Sequence, residues 1–222
     1  MRSRYMCALV ALAVSAPAVG QTIYKQSVFP GEGFSSTFDP NAAFAFLAAD
    51  NFTLGSTQSV ARVRWWGNSD DFGLPNLQNF TQFTVKLHQR QANGLPGAVI
   101  YSEAFATANT NPVDTGLLST NNTHVWQQTA TLATPQALAA GQYMLSVGVS
   151  GYVDNQGSIW FWNTSLEGDD FIAFDAYDGQ GWRQFGQPLD LSFELLAVPE
   201  PATMLSAVGG LFVLVMRRRC PS

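Results

Sequence analysis

Between residues 21 and 198 the chain contains no cysteine; its two cysteines, Cys7 and Cys220, fall in the terminal segments. A disulfide framework, a thiolate metal site and a thiol nucleophile are thereby excluded from the body. Lysine occurs only twice, at Lys25 and Lys86, and charged residues make up just 12% of the 222 residues. In the body six Lys and Arg stand against fifteen Asp and Glu, a formal charge of −9, which argues against nucleic acid and anionic membrane surfaces as partners. Histidine is also scarce, with only His88 and His124, and no G-x-S-x-G elbow is present, so a Ser-His-Asp triad is not expected. No repeat of 20 to 50 residues is visible, which disfavours propellers and solenoids.

What the chain does have is apolar material, 46% of its residues, enough for a core in one domain. The first twenty residues carry Arg2 and Arg4, an apolar run from Tyr5 to Val14, and small residues at Ala18 and Gly20. This is the layout of a secretory signal peptide, too short for a permanent span, with signal peptidase expected to cut before Gln21.

In the body, nine segments read as strands: 44–54, 59–67, 83–89, 97–105, 124–132, 142–150, 158–163, 171–177 and 189–196. In "SVARVRWWG" Ala61, Val63 and Trp65 share one face and Arg62, Arg64 and Trp66 the other. In "FTVKLHQ" Phe83, Val85 and Leu87 oppose Thr84, Lys86 and His88, which places His88 on a solvated face. Asn93-Gly94 with Pro96-Gly97, and "DGQGW" at 178–182, are turn signals, while "PQALAA" at 135–140 suggests a helical turn. The expected fold is all-β: a single β-sandwich, jelly-roll-like, over 21–196. It is flanked by the signal peptide, 1–20, and a tail with a hydrophobic helix, 197–222.

That tail has three parts in order. Pro199-Glu200-Pro201 holds the backbone extended and interrupts any helix; Ala202 to Met216 is apolar; Arg217, Arg218 and Arg219 favour the cytoplasmic side and act as a stop-transfer cluster. Fifteen residues at about 1.5 Å each reach roughly 22 Å, short of a hydrocarbon core of about 30 Å, so the helix suits transient anchoring. The order Pro-Glu-Pro, apolar stretch, basic cluster resembles the PEP-CTERM sorting signal of bacteria. The resemblance implies Pro199, Glu200 and Pro201 as the sorting motif, an exosortase as partner, and removal of the tail near the motif. It further implies delivery to the cell surface or extracellular matrix, often among exopolysaccharide and biofilm components. Cys220-Pro221-Ser222 extends past the basic cluster, a departure from most such tails. Parts of the body, "ADNFTL…VRWWG" and "GLPGAVIYSE", are similar to domains of other PEP-CTERM proteins, which bears on the fold class alone.

Candidate chemistry in the body is thin. Glu103 and Glu194 are the strand carboxylates to inspect as a glycosidase pair, against the alternative of acids paired with Arg62 or Arg64. Asp169, Asp170, Asp175 and Asp178, with Glu167 and Asp154 nearby, form the densest acidic group and offer oxygen ligands for a structural calcium, though no EF-hand spacing is present. Otherwise no cofactor and no metal site is expected. Trp66, Trp162 and Asn163 are candidates for stacking on sugar rings if their rings lie exposed. The expected function is non-enzymatic, structural or adhesive, for an exported surface or matrix protein; the alternatives are a carbohydrate-binding module for exopolysaccharide and a glycan-active enzyme.

Overall fold

The structure, a computed structural model, describes residues 20–29, 31, 33–37, 46–69, 80–152 and 159–198. Fourteen strands follow in chain order. The first seven are β1 (Thr22–Gln26), β2 (Gly33–Ser35), β3 (Leu47–Leu54), β4 (Gln58–Ser69), β5 (Phe80–Arg90), β6 (Pro96–Ala106) and β7 (Val113–Leu118). The rest are β8 (His124–Leu138), β9 (Gly141–Tyr152), β10 (Trp160–Ser165), β11 (Ile172–Asp175), β12 (Arg183–Gln184), β13 (Asp190–Leu191) and β14 (Phe193–Ala197).

Two antiparallel sheets pack face to face as a β-sandwich. In the first, β4 is the spine: β8 and then β7 lie on one flank, and β14 with β1, followed by β10 with β2 and β13, on the other. The second runs β12-β11-β3-β9-β5-β6. Each expected strand overlaps an observed one, 189–196 being divided at Ser192 into β13 and β14, while residues 44, 45 and 158 lie outside the described residues. The strands that the pattern missed, β1, β2, β7 and β12, are short or lie at sheet margins, where one-sided burial leaves little alternation to detect. The expected helical turn at 135–140 is corrected: β8 continues through it to Leu138, and the helix among the described residues is a 3₁₀ turn at Thr107–Thr110. Pro135 falls where the β4–β8 register slips, Val60 pairing with Gln136 and Arg62 with Thr131. A bulge is the place in a strand where a residue without an N–H is tolerated.

Period-two alternation fixes the core. Val63, Trp65, Trp160, Trp162, Phe193 and Leu195 of the first sheet meet Ala48, Phe52, Phe83, Val85, Leu87, Leu145 and Val147 of the second. Burying each large side chain contributes roughly 1.5–3 kcal/mol, and aromatic contacts such as Phe83 to Trp160, 5.2 Å apart and edge-on, add to this, so the body coheres without a cross-link. The close approach is exacting at Gly67, where a Cβ would come within 2.4 Å of the Trp160 ring.

The register also defines two ends. Thr22 pairs with Leu196, and the Ala197 amide donates to the Gln21 carbonyl (2.8 Å), so both chain ends of the sandwich emerge side by side. Val60 pairs with Ala197, Gln58 with Leu138, and Leu54 with Gly141, so the turns 55–57 and 139–140 belong to this same end. At the far end of β1, Ser27 meets Glu167 in the loop after β10 and Phe29 meets Thr164 of β10, and Asp175 pairs with Leu47 at the far end of β3.

Candidate functional site

The loop after β10 and the strand β13 meet the middle of β3 at a buried carboxylate pair. Asp50 alternates with Ala48 and Phe52 and so points between the sheets. Its oxygens accept from the amides of Asn51 (2.6 Å) and Leu191 (2.5 Å), the latter in the opposite sheet. Gln26, with its amide oriented to satisfy its neighbours, donates to Asp50 Oδ2 (2.9 Å) and accepts from the Tyr24 hydroxyl (3.1 Å). Burial pushes the Asp50 carboxyl well above the ordinary range, against the opposing pull of the Leu191 amide. Asp190 is also pushed up by burial, although the amides of Asp169 (3.1 Å) and Asp170 (3.0 Å) donate to it. Gly168, at φ +141°, is required here, since a Cβ would lie 2.3 Å from the Asp190 carboxyl carbon. Burial and the Asp50 charge raise Tyr24 to about 12. This cluster joins the sheets and fixes the loop 166–171, from which Leu166 stands 78% exposed.

Beside it, the outer face of the second sheet is roofed rather than solvated. Ala49, Met144 and Ala173 pack under Leu95, Phe171 and Trp182. His88 is therefore buried, a correction to its expected solvated position, with Nε2 3.0 Å from Ser146 Oγ and its ring edge-on to Trp182 at 5.6 Å. Burial lowers its pKa. The Ser-His contact lacks the carboxylate of a triad: Nδ1 faces the Gly97 carbonyl at 3.5 Å. Arg90 lies 5.0 Å over the Phe171 ring and 3.7 Å from Asp169, which also accepts from Asn51 Nδ2 (2.7 Å).

The β11–β12 connection carries a bulky residue in the left-handed region, Tyr177 at φ +52°, with Gly179 and Gly181 also at positive φ. Its amide donates to Asp175 Oδ1 (2.8 Å), and burial raises its hydroxyl to about 12. Asp178 and Arg183 pair across the turn at 2.8 Å. Past β12, Asp170, Gln184, Phe185, Gly186, Gln187 and Pro188 line an open cleft of about 310 Å³.

The residues expected to stack on sugars are placed differently. Trp162 is fully buried: β10 has partners on both sides, and the ring points inward, its Nε1 donating to the Ser192 carbonyl (2.8 Å). Asn163, on the same interior strand, is likewise inaccessible, and Trp66 is only 7% exposed on the central strand β4. This corrects the expectation of exposed rings: adjacent tryptophans here mark strands covered on both faces. Phe29, Tyr177 and the half-buried Trp182 are aromatics that loops display among the described residues, and Trp182 belongs to the "DGQGW" turn.

Glu103 and Glu194 are not brought together. Glu103, in the second sheet, accepts from the Tyr101 hydroxyl and the Ala133 amide (3.0 Å). Glu194, in the first, pairs with Arg64 at 2.6 Å and accepts from Thr22, the arginine-paired alternative. Among the described residues no three His, Cys, Asp or Glu side chains are grouped to hold a metal ion, and Asp154 lies outside them.

The sorting residues Pro199, Glu200, Pro201 and Arg217 to Arg219 also lie outside the described residues, as does the apolar stretch between them. No helix among the described residues is long and apolar enough to cross a membrane. Residues 197–219 match the family model of the PEP-CTERM protein-sorting motif. Residues 22–196 match the model of a domain of unknown function, DUF7901, which spans β1 to β14 with the next residue opening the sorting motif. No curated protein and no solved structure matches the chain. With most of its length inside the one model and its last segment inside the other, the chain belongs to the DUF7901 family and is a PEP-CTERM protein, sorted on export through its C-terminal tail.

Proposed function

We propose that the sandwich is a non-enzymatic structural or adhesive component of the cell surface or extracellular matrix. In this reading a signal peptidase frees Gln21 and the helix of the tail tethers the chain. An exosortase then cuts near Pro199-Glu200-Pro201, with Arg217, Arg218 and Arg219 holding the tail's cytoplasmic side. The observation that carries it is the sorting motif joined directly to the last strand of the β-sandwich. Support for a non-enzymatic body comes from His88, closed in beneath Trp182 without a carboxylate partner, and from Glu103 and Glu194, each engaged in a different sheet. Glu200→Ala, expressed in the exporting host, is expected to leave the precursor uncleaved and membrane-bound. Wild-type release of that variant refutes the sorting roles.

A second reading, glycan binding, has support at one place. The cleft beside β12 combines the Phe185 ring with the Asp170 carboxylate and the amides of Gln184 and Gln187, the groups that stack on a sugar ring and bond its hydroxyls. Titration of the released protein with a neutral oligosaccharide panel tests it: saturable binding lost in Gln184→Ala and Gln187→Ala supports it, and no binding leaves the structural role alone.

A further inference from the structure

We propose that the cleft beside β12 is selective for a positively charged sugar, a glycan unit carrying a free amine, with the Asp170 carboxylate as its counter-ion. The proposal rests on the glycan-binding reading of that cleft and adds the charge of the ligand.

The first argument is which acid is left without a partner. Six Asp and Glu side chains lie between residues 166 and 190, and five of them are engaged. Glu167 accepts from the Ser27 amide (2.7 Å), and Asp169 accepts from Asn51 with Arg90 at 3.7 Å. Asp175 accepts from the Tyr177 amide (2.8 Å), Asp178 from Arg183 (2.8 Å), and Asp190 from the amides of Asp169 and Asp170. Among the described residues no hydrogen bond or ion pair reaches the Asp170 carboxylate, and Asp170 is the acid that lines the cleft. Both arginines of the neighbourhood are taken: Arg183 holds Asp178 and lies 5.0 Å over the Phe174 ring, while Arg90 lies 5.0 Å over Phe171. The cleft thus has one negative charge and no cation among its lining residues.

The second is that the cleft is fixed before a ligand arrives. Asp170 sits at φ +59°, a left-handed conformation that Asp tolerates, and its amide donates to Asp190 Oδ2 (3.0 Å). Its backbone is therefore anchored while its side chain stays free. The Phe185 amide donates to the Ile172 carbonyl (2.8 Å), and the ring meets Phe34 at 4.8 Å and Phe174 at 6.2 Å, both edge-on. An aromatic face so held attracts an ammonium group through its quadrupole. The amides of Gln184 and Gln187 offer donors and acceptors to sugar hydroxyls, and Gly186 beside them leaves open space, a Cβ there meeting nothing within 4 Å. At about 310 Å³ the cleft stands at the lower end of small-ligand sites, a size for one sugar ring with the glycan continuing outward. A lysine-rich peptide fits it less well, because β12 is two residues long and gives no strand edge for main-chain pairing.

Glucosamine and N-acetylglucosamine tetramers separate charge from sugar. The full-length chain in detergent is titrated with each at about pH 6, where a sugar amine is protonated. The amine form is expected to bind about fivefold more tightly, the scale of one exposed ion pair, with the preference fading in high salt. Asp170→Asn, which keeps a residue tolerant of the left-handed backbone, should make the two tetramers equal. Asp114→Asn, on β7 of the other sheet, should leave the preference intact. Equal binding of the two tetramers by the wild type overturns the proposal and leaves the glycan reading standing, whereas binding of neither overturns both. A preference that persists in Asp170→Asn also overturns it, by assigning the attraction to the body's net charge of −9. So does a tetralysine peptide bound as tightly as the amine tetramer, which makes the cleft a peptide site.

Discussion

Two regions of this sandwich, the tail end and the carboxylate cluster at the middle of β3, are made differently. At the tail end, short turns of Gly, Ser, Thr and Ala carry β3 into β4 and β8 into β9 from one sheet to the other, and the ladder itself holds Ala197 just before the motif. At the cluster, the loop 166–171 is held by side chains: Asp50 and Asp190 accept from five backbone and side-chain donors. Buried carboxylates are costly to desolvate, so the cluster marks where polar side chains take over from the backbone ladder.

The sharpest break in that comparison is Asp50→Ala, expected to cost about 3 kcal/mol or more because the Leu191 and Asn51 amides and Gln26 lose their buried acceptor together. Urea unfolding measures it, and a loss below about 1 kcal/mol would mean that the cluster does not join the sheets. Next, Gly168→Ala should destabilise by roughly 2 kcal/mol, since φ +141° and the Asp190 carboxyl at 2.3 Å leave no place for a methyl group.

A subtler effect separates charge from shape. Asp50 titrates above its unfolded value near 3.9, so its protonated form favours folding. That contribution is complete below the unfolded pKa and is lost as the pH rises through the folded one. Wild type should therefore lose ground to Asp50→Asn between pH 5 and pH 8. His88, with a lowered pKa, acts in the opposite sense but is common to both chains and cancels. An unchanged difference across that range in paired unfolding curves contradicts the upward shift. The smallest effect belongs to the tail end: Ser56→Glu or Ala139→Glu should move stability by no more than about 0.5 kcal/mol, since both side chains are exposed.

The sequence made some of this legible. The alternation of Phe83, Val85 and Leu87 placed a strand and its inner face correctly, because a half-buried strand writes its geometry into every second residue. The tryptophans misled for the complementary reason: in β4 and β10 both faces are covered, so alternation carries no information about exposure. His88 failed likewise, since the roof over it comes from Trp182, nearly a hundred residues away.

By itself, then, the sequence determined the sorting tail, the absence of thiol chemistry and the strand-rich body, all of them consequences of local order: which residues follow which, and with what period. Only the tertiary structure decided that Gln21 and Ala197 leave together, that uncharged turns gather at that end, and that the carboxylates of residues 50 and 190 meet across two sheets. Those are juxtapositions of residues far apart in the chain, set by strand pairing and the packing of one sheet on the other, and no local pattern encodes them.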